Sequence, residues 1–233
     1  MVTAKFMHGY KFVSTEYPWI TQPERGSTSP MTQKVFCTIK PIILASGSPR
    51  RRELLSALGL NYTSAAAEVD ETPHEEELPE AFAIRMAFAK ADSIADHHPD
   101  AWVIGADTVV TIDGKILGKP GTRKKGLQML RLLNGSSHQV YTGLCIRHRK
   151  TDITIEQTSR TKVRFGYFND AVLQAYVDSG DSLDKAGAYG VQGIGSFLVD
   201  EITGSCTGVI GLPMNLLITS LLEYNVIEPR RKS

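Results

Sequence analysis

The sequence predicts an α/β protein built on a mixed β-sheet, and three observations carry this. Short apolar runs suited to buried strands alternate with stretches of helical period. Helices are punctuated by their own residues: Pro49, Thr122 and Asn169 open them, and Gly135 and Gly180 close them. Asp113-Gly114 is a two-residue hairpin signal, which a purely parallel sheet does not contain.

The elements follow in order. Pro41–Ala45 reads as a buried strand, Ser46-Gly-Ser48 as a turn, and Pro49 as the first residue of a helix whose face carries Leu54, Leu55 and Leu58. A second helix runs from Pro79 to about Asp96, with Phe82, Met86 and Ala89 on its apolar side. Trp102–Ala106 and Thr108–Ile112 form one strand, entering the hairpin. Thr122 caps a helix bearing Leu127, Leu130 and Leu133. Val140–Arg147 and Thr154–Phe165 alternate as strands do. Asn169 caps a helix with Val172, Leu173, Tyr176 and Val177. A glycine-rich loop spans Ala186–Gly195, a strand is expected at Ser196–Val199, and a helix at Met214–Glu223 closes the chain.

The chain has 233 residues and a formal net charge of +1, enough length for one large domain or two small lobes around a sizeable core. The charge balance argues against a nucleic-acid binder, and no apolar run is long enough for a membrane span. Cys37, Cys145 and Cys206 are too few and too scattered for a disulfide framework, which points to a reducing compartment. Residues 1–39 show no sustained period and read as a flexible N-terminal extension, with 40–233 as the folded domain. The extension lacks the apolar core of a secretory signal; the expected location is the cytoplasm, with organellar targeting by residues 1–39 left open.

Candidate chemistry gathers at a few places. In Ser46-Gly-Ser-Pro-Arg-Arg-Arg52 a strand runs through a small-residue turn into a helix. Free N–H groups, hydroxyls of Ser46 and Ser48, and the guanidinium groups of Arg50, Arg51 and Arg52 suit a phosphate there, although a capped surface helix would look similar. No G-x-x-x-x-G-K-[ST] loop occurs. Asp107, beside Thr108, interrupts an apolar strand and needs a partner, a metal or an opening to solvent. It suits a base for water or a ligand for a divalent ion, and equally an acid capping a strand end. Glu68, Asp70 and Glu71 crowd together as Mg²⁺ ligands do, but alone they read better as an acidic loop. Lys119 follows the hairpin strand, and Lys90 borders the apolar face of the second helix; either is suited to snorkel or to meet a phosphate. In the loop from Asp184 to Gly195, Gln192 offers a donor and an acceptor side by side, matching the carbonyl and imide N–H of uracil or thymine. Gly204-Ser-Cys206-Thr-Gly208 mimics a nucleophile elbow, but no histidine falls in a matching signature, and none of the six histidines has metal-ligand spacing.

Together these segments resemble the Maf family of nucleotide pyrophosphatases. The matching stretches are Leu44-Ala-Ser-Gly-Ser-Pro-Arg-Arg-Arg-Glu-Leu-Leu55, Val69-Asp-Glu-Thr72, Ile104-Gly-Ala-Asp-Thr-Val-Val110, Leu117-Gly-Lys-Pro120, Val140-Tyr-Thr-Gly143, Asp184-Lys-Ala-Gly-Ala-Tyr-Gly190 and Gly211-Leu-Pro213, in the family's order. The resemblance implies an ITPase-like twisted mixed sheet with flanking helices and two lobes around a cleft. It implies hydrolysis of a nucleoside triphosphate to the monophosphate and pyrophosphate, helped by Mg²⁺ or Mn²⁺, and dimerisation of the chain. It assigns Asp107 as catalytic acid/base and metal ligand with Glu71, and places Ser46, Arg50, Arg51, Lys90 and Lys119 around the phosphates. Arg50, Thr108 and Gln192 would select the substrate, and the glutamine marks the dTTP/UTP subgroup. Gly208 departs from the pattern, since many members carry Asn there. The competing readings are a 7-methyl-GTP pyrophosphatase and a non-catalytic nucleotide-binding regulator of cell division.

Overall fold

The computed structural model describes residues 35–231. Residues 1–34, with the extension and targeting readings attached to them, lie outside the described residues. The main sheet is built from β2 (Ile42–Leu44), β3 (Thr63–Ser64), β4 (Trp102–Ile112), β5 (Lys115–Leu117), β6 (Ser137–His148), β7 (Ile153–Phe165) and β8 (Val199–Thr203). Its order is β3-β2-β4-β6-β7-β8, with β5 also on β4. β2 pairs parallel with β3 and β4, and every other pairing in the sheet is antiparallel, so it is mixed as the sequence predicts.

Helices α1 (Pro49–Ala57), α2 (Pro79–Ala95), α3 (Arg123–Leu133), α4 (Asp170–Asp178) and α6 (Met214–Glu223) lie where the periodicity places them, and a short α5 (Cys206–Ile210) precedes α6. Proline at the first turn opens α1 and α2, while Thr122 and Asn169 accept backbone N–H groups from Lys125 and Val172. Helix α2 presses close on the sheet because two glycines give it room. A Cβ on Gly105 of β4 would stand 2.1 Å from the Ala87 carbonyl oxygen, and one on Gly143 of β6 would stand 2.2 Å from that of Ala83.

Two apolar cores flank the middle of β4. One gathers Leu44, Leu55, Ile104, Leu144, Leu217 and Leu221 beside α1 and α6. The other gathers Val110, Leu130, Leu133, Val140, Phe165, Leu173 and Tyr176 beside α3 and α4.

Some elements differ from expectation. The strand expected at Ser196–Val199 is displaced: Gly193–Leu198 coils as 3-10 helix, and β8 begins at Val199. Ser196 Oγ bonding the Gly193 carbonyl at 2.8 Å closes that turn locally. A separate pair, β1 (Phe36–Thr38) and β9 (Ile227–Pro229), joins antiparallel, so residues within the stretch read as extension pair with the chain's last strand. All three cysteines are free. Among the described residues no helix is long and apolar enough to cross a membrane.

Candidate active site

The site begins with a gap in the sheet. On one edge β4 pairs with β2 over Trp102–Ile104 and with β5 over Val110–Ile112. Residues 105–109 between them carry no strand partner on that edge, although β6 pairs with them on the other. Parted neighbouring strands are where open α/β sheets hold ligands. A cleft of about 380 Å³ opens here, lined by Ser46, Arg50, Arg51, Glu71, Lys90, Asp107, Thr108, Lys119 and Gln192. The fold therefore brings all nine of these candidates together from six separate parts of the chain.

Consecutive strand residues point to opposite faces, so Asp107 and Thr108 serve two sides of the cleft. Asp107 faces α2, where Lys90 Nζ donates to its Oδ1 at 2.7 Å. The same ammonium lies 2.6 Å from Glu71 Oε1. Lys90 is nearly buried, with 9% exposure, and the pairing explains why a lysine can sit there. Its hydrogen bond holds the Glu71 carboxyl below the usual carboxylate range, assisted by the charges of Lys119 and Arg51 and opposed by partial burial.

Thr108 faces α1. Arg51 Nη2 donates to Thr108 Oγ1 at 3.4 Å, and the Thr108 and Thr142 hydroxyls lie 3.0 Å apart. Thr142 donates to the Gly208 carbonyl at 2.8 Å, so Thr108 must donate to Thr142 and the bonds run in one direction. Arg51 is held on two further sides, by the Gly211 carbonyl at 2.7 Å from Nε and by Ser46 Oγ at 3.1 Å from Nη1. Burial lowers the Arg51 pKa, with the Arg50 charge adding to this while Asp107 and Glu71 raise it; an arginine still keeps its proton. Ser46 Oγ also accepts from Ser48 N at 3.2 Å, shaping the turn into α1. Arg50 reaches toward Asp184 at 3.7 Å across the cleft mouth.

Other candidates stay out. Asp70 accepts from the Thr72 amide at 2.9 Å and its hydroxyl at 2.6 Å, and neither it nor Glu68 lines the cleft. Arg52 turns back to the Gly47 carbonyl at 2.9 Å. Cys206 begins α5 with its neighbours Ser205 and Thr207 engaged in capping, and it does not line the cleft. Thr142 and Gly211 also belong to the site without having stood out by residue type, as does the charged pair Asp184–Lys185, which opens the glycine-rich loop but had no role of its own assigned. Thr142 and Gly211 lie in segments that match the family, and the charged pair stands directly before the glycine run. At Gly208, the departure from the family pattern, a Cβ would stand 2.7 Å from Ser159 Oγ, so a side chain there requires that hydroxyl to turn away.

The fold and cleft define an α/β protein in which cations and two carboxylates meet at a parted sheet edge between two apolar cores. Among such proteins, the chain belongs to the Maf family: the family described as "Maf-like protein" matches residues 41–224. Similar curated proteins include the dTTP/UTP pyrophosphatase of Desulfotalea psychrophila, 47% identical over 188 residues, covering 81% of this chain and 96% of that one. The dTTP/UTP pyrophosphatase of Myxococcus xanthus is 43% identical over 194 residues, covering 82% and 96%. Among solved structures, the Staphylococcus aureus Ham1 protein aligns with a TM-score of 0.50 at 13% identity, covering 79% of this chain and 100% of that one. That likeness shows the fold alone, and it agrees with the ITPase-like sheet the sequence implies.

Proposed function

We propose that this chain is a nucleoside triphosphate pyrophosphatase that hydrolyses dTTP and UTP to the monophosphate and pyrophosphate. The observation that carries the chemistry is the convergence of Asp107 and Glu71 on Lys90 at the unpaired edge of β4. The names of the relatives support the substrate, as does the donor–acceptor match between Gln192 and a uracil or thymine edge.

Each residue has a chemical part. A triphosphate is strongly anionic, and Arg50, Arg51, Lys90 and Lys119 line the cleft to neutralise it. The bonds of Arg51 to Gly211, Ser46 and Thr108 aim its guanidinium before any ligand arrives, so little reorganisation is needed. Asp107 accepts a proton from water as the water oxygen bonds to the α-phosphorus. The bond to the bridging oxygen breaks, and pyrophosphate leaves with its charge held by the cations. The donor set also fits a divalent metal. Two hard carboxylates already converge on one cationic centre, and Mg²⁺ or Mn²⁺ takes one or two carboxylates together with substrate phosphates. Among the described residues no larger cluster of His, Cys, Asp or Glu exists, so Glu71 and Asp107 would hold the ion with the nucleotide. Such an ion supplies Lewis-acid polarisation of a phosphoryl oxygen. Dimerisation and action in the cytoplasm belong to the same reading, on the family resemblance alone.

The test is pyrophosphate release from UTP, dTTP, CTP, GTP and 7-methyl-GTP, with Mg²⁺ and with EDTA. Release should favour UTP and dTTP and vanish in EDTA. Preference for 7-methyl-GTP would leave the hydrolytic chemistry standing and overturn the base assignment. Asp107→Asn should lower kcat about a thousandfold while the folded circular-dichroism spectrum persists.

A further inference from the structure

Gln192 is exposed, and among the described residues its amide makes no hydrogen bond. An amide without a partner presents its donor and acceptor from wherever the loop backbone carries it. Base selection therefore depends on how the loop backbone beneath Gln192 is held.

Three side chains hold it. Tyr176 of α4 is buried in the second core and donates its hydroxyl to Asp181 Oδ2 at 2.8 Å. Asp181 Oδ1 accepts from Lys185 Nζ at 3.0 Å. The same ammonium bonds the Asp181 carbonyl, and Asp184 Oδ1 at 2.9 Å. All three lysine N–H donors are thus engaged within the loop, which leaves none directed at a phosphate. The Lys185 stem lies against Gly190, where a Cβ would meet its Cδ and Cε at 3.1 Å. The Tyr176 hydroxyl lies against Gly195, where a Cβ would stand 2.4 Å away. One carboxylate therefore joins the α4 core to the segments on both sides of Gln192.

We propose that Asp181, through Tyr176 and Lys185, is a positioning residue that fixes the base-contacting loop, so that preference for uracil over guanine nucleotides depends on it. This rests on the reading of Gln192 as the base contact, and the experiment separates the two. The kcat/KM ratio of UTP to GTP is measured for the full chain and for Gln192→Ala, Tyr176→Phe, Asp181→Asn and the double variant Tyr176→Phe/Gln192→Ala. Gln192→Ala should lower the ratio. Tyr176→Phe and Asp181→Asn should each lower it about tenfold, the size of one lost contact, through KM rather than kcat. In the Gln192→Ala background Tyr176→Phe should change the ratio less than about twofold, because both act through one contact. Equal loss for UTP and GTP would show a merely structural role and overturn the proposal, as would full additivity in the double variant. If Gln192→Ala leaves the ratio unchanged, the base contact is wrong and the proposal falls with it. Should Tyr176→Phe fail to fold, Asp181→Asn carries the comparison; failure of both to fold would also overturn the proposal.

Discussion

Lys90 holds two acids that would otherwise repel each other. With its ammonium 2.7 Å from Asp107 and 2.6 Å from Glu71, it lies between the two carboxylates and keeps them aimed at one point. Methionine preserves the stem of the lysine and removes the charge. Lys90→Met should lower kcat/KM for UTP about a hundredfold, a loss typical of one electrostatic contact to a reacting group. The same change should strengthen Mn²⁺ binding measured by calorimetry without nucleotide, since the carboxylates lose their internal cation. Weaker Mn²⁺ binding would show that the two acids do not act as a pair. The residues by themselves made both acids and the lysine visible as candidates; the family resemblance brought Asp107 and Glu71 to one metal, and the structure adds Lys90 between them. Lys90 alone reads equally as a snorkelling side chain, and only the close approach of α2 to the sheet distinguishes the two.

That approach is an element-scale property. Gly143 faces Asp107 in the register of β4 and β6, and its missing Cβ admits the backbone of α2. Gly143→Ala should push α2 outward, lowering stability by about 3 kcal/mol and carrying Lys90 away from Asp107. Thermal melts and UTP turnover measured together would show both losses. The loop that delivers Glu71 is tied to α2 by a fork: Arg85 bonds Glu77 Oε1 and Oε2, each at 2.6 Å, and the Thr72 carbonyl at 3.1 Å. Arg85 draws the Glu77 carboxyl from its ordinary 4.5 down to about 2. A carboxyl lowered by folding stabilises the fold above its unfolded value and loses that contribution as pH falls through its folded value. The advantage of the native chain over Glu77→Gln in melting temperature should therefore be full above about pH 5 and vanish near pH 2. A pH-independent difference would contradict the pairing. At this scale the long strands and capped helices were legible because period and caps agree. The three-residue strands β1 and β9 are too short to show a period, and β8 carries Asp200 and Glu201 on a sheet edge, which hid it.

For the molecule as a whole, the cleft lies where β2 and β5 leave β4 unpaired, between two apolar cores that share the sheet. No local pattern announces that gap, because it depends on which strands pair and where they stop. The cleft takes Val110, Val140 and Tyr189 from the second core, and Arg50 and Arg51 from α1, whose Leu55 belongs to the first. A non-hydrolysable UTP analogue with Mg²⁺ at a hundred times its Kd should therefore raise stability by about 2.7 kcal/mol in one cooperative transition. Two separate transitions, only one of them shifted, would place the ligand on one side alone. The central claim is that water attacks the α-phosphorus of a pyrimidine triphosphate with Asp107 as the proton acceptor. Phosphorus NMR of the products formed from UTP, by the native chain and by Asp107→Asn, tests it most directly. UMP and pyrophosphate from the native chain, and about a thousandfold less of both from the variant in the same time, are the predicted result. UDP and orthophosphate, or undiminished turnover by Asp107→Asn, would contradict it.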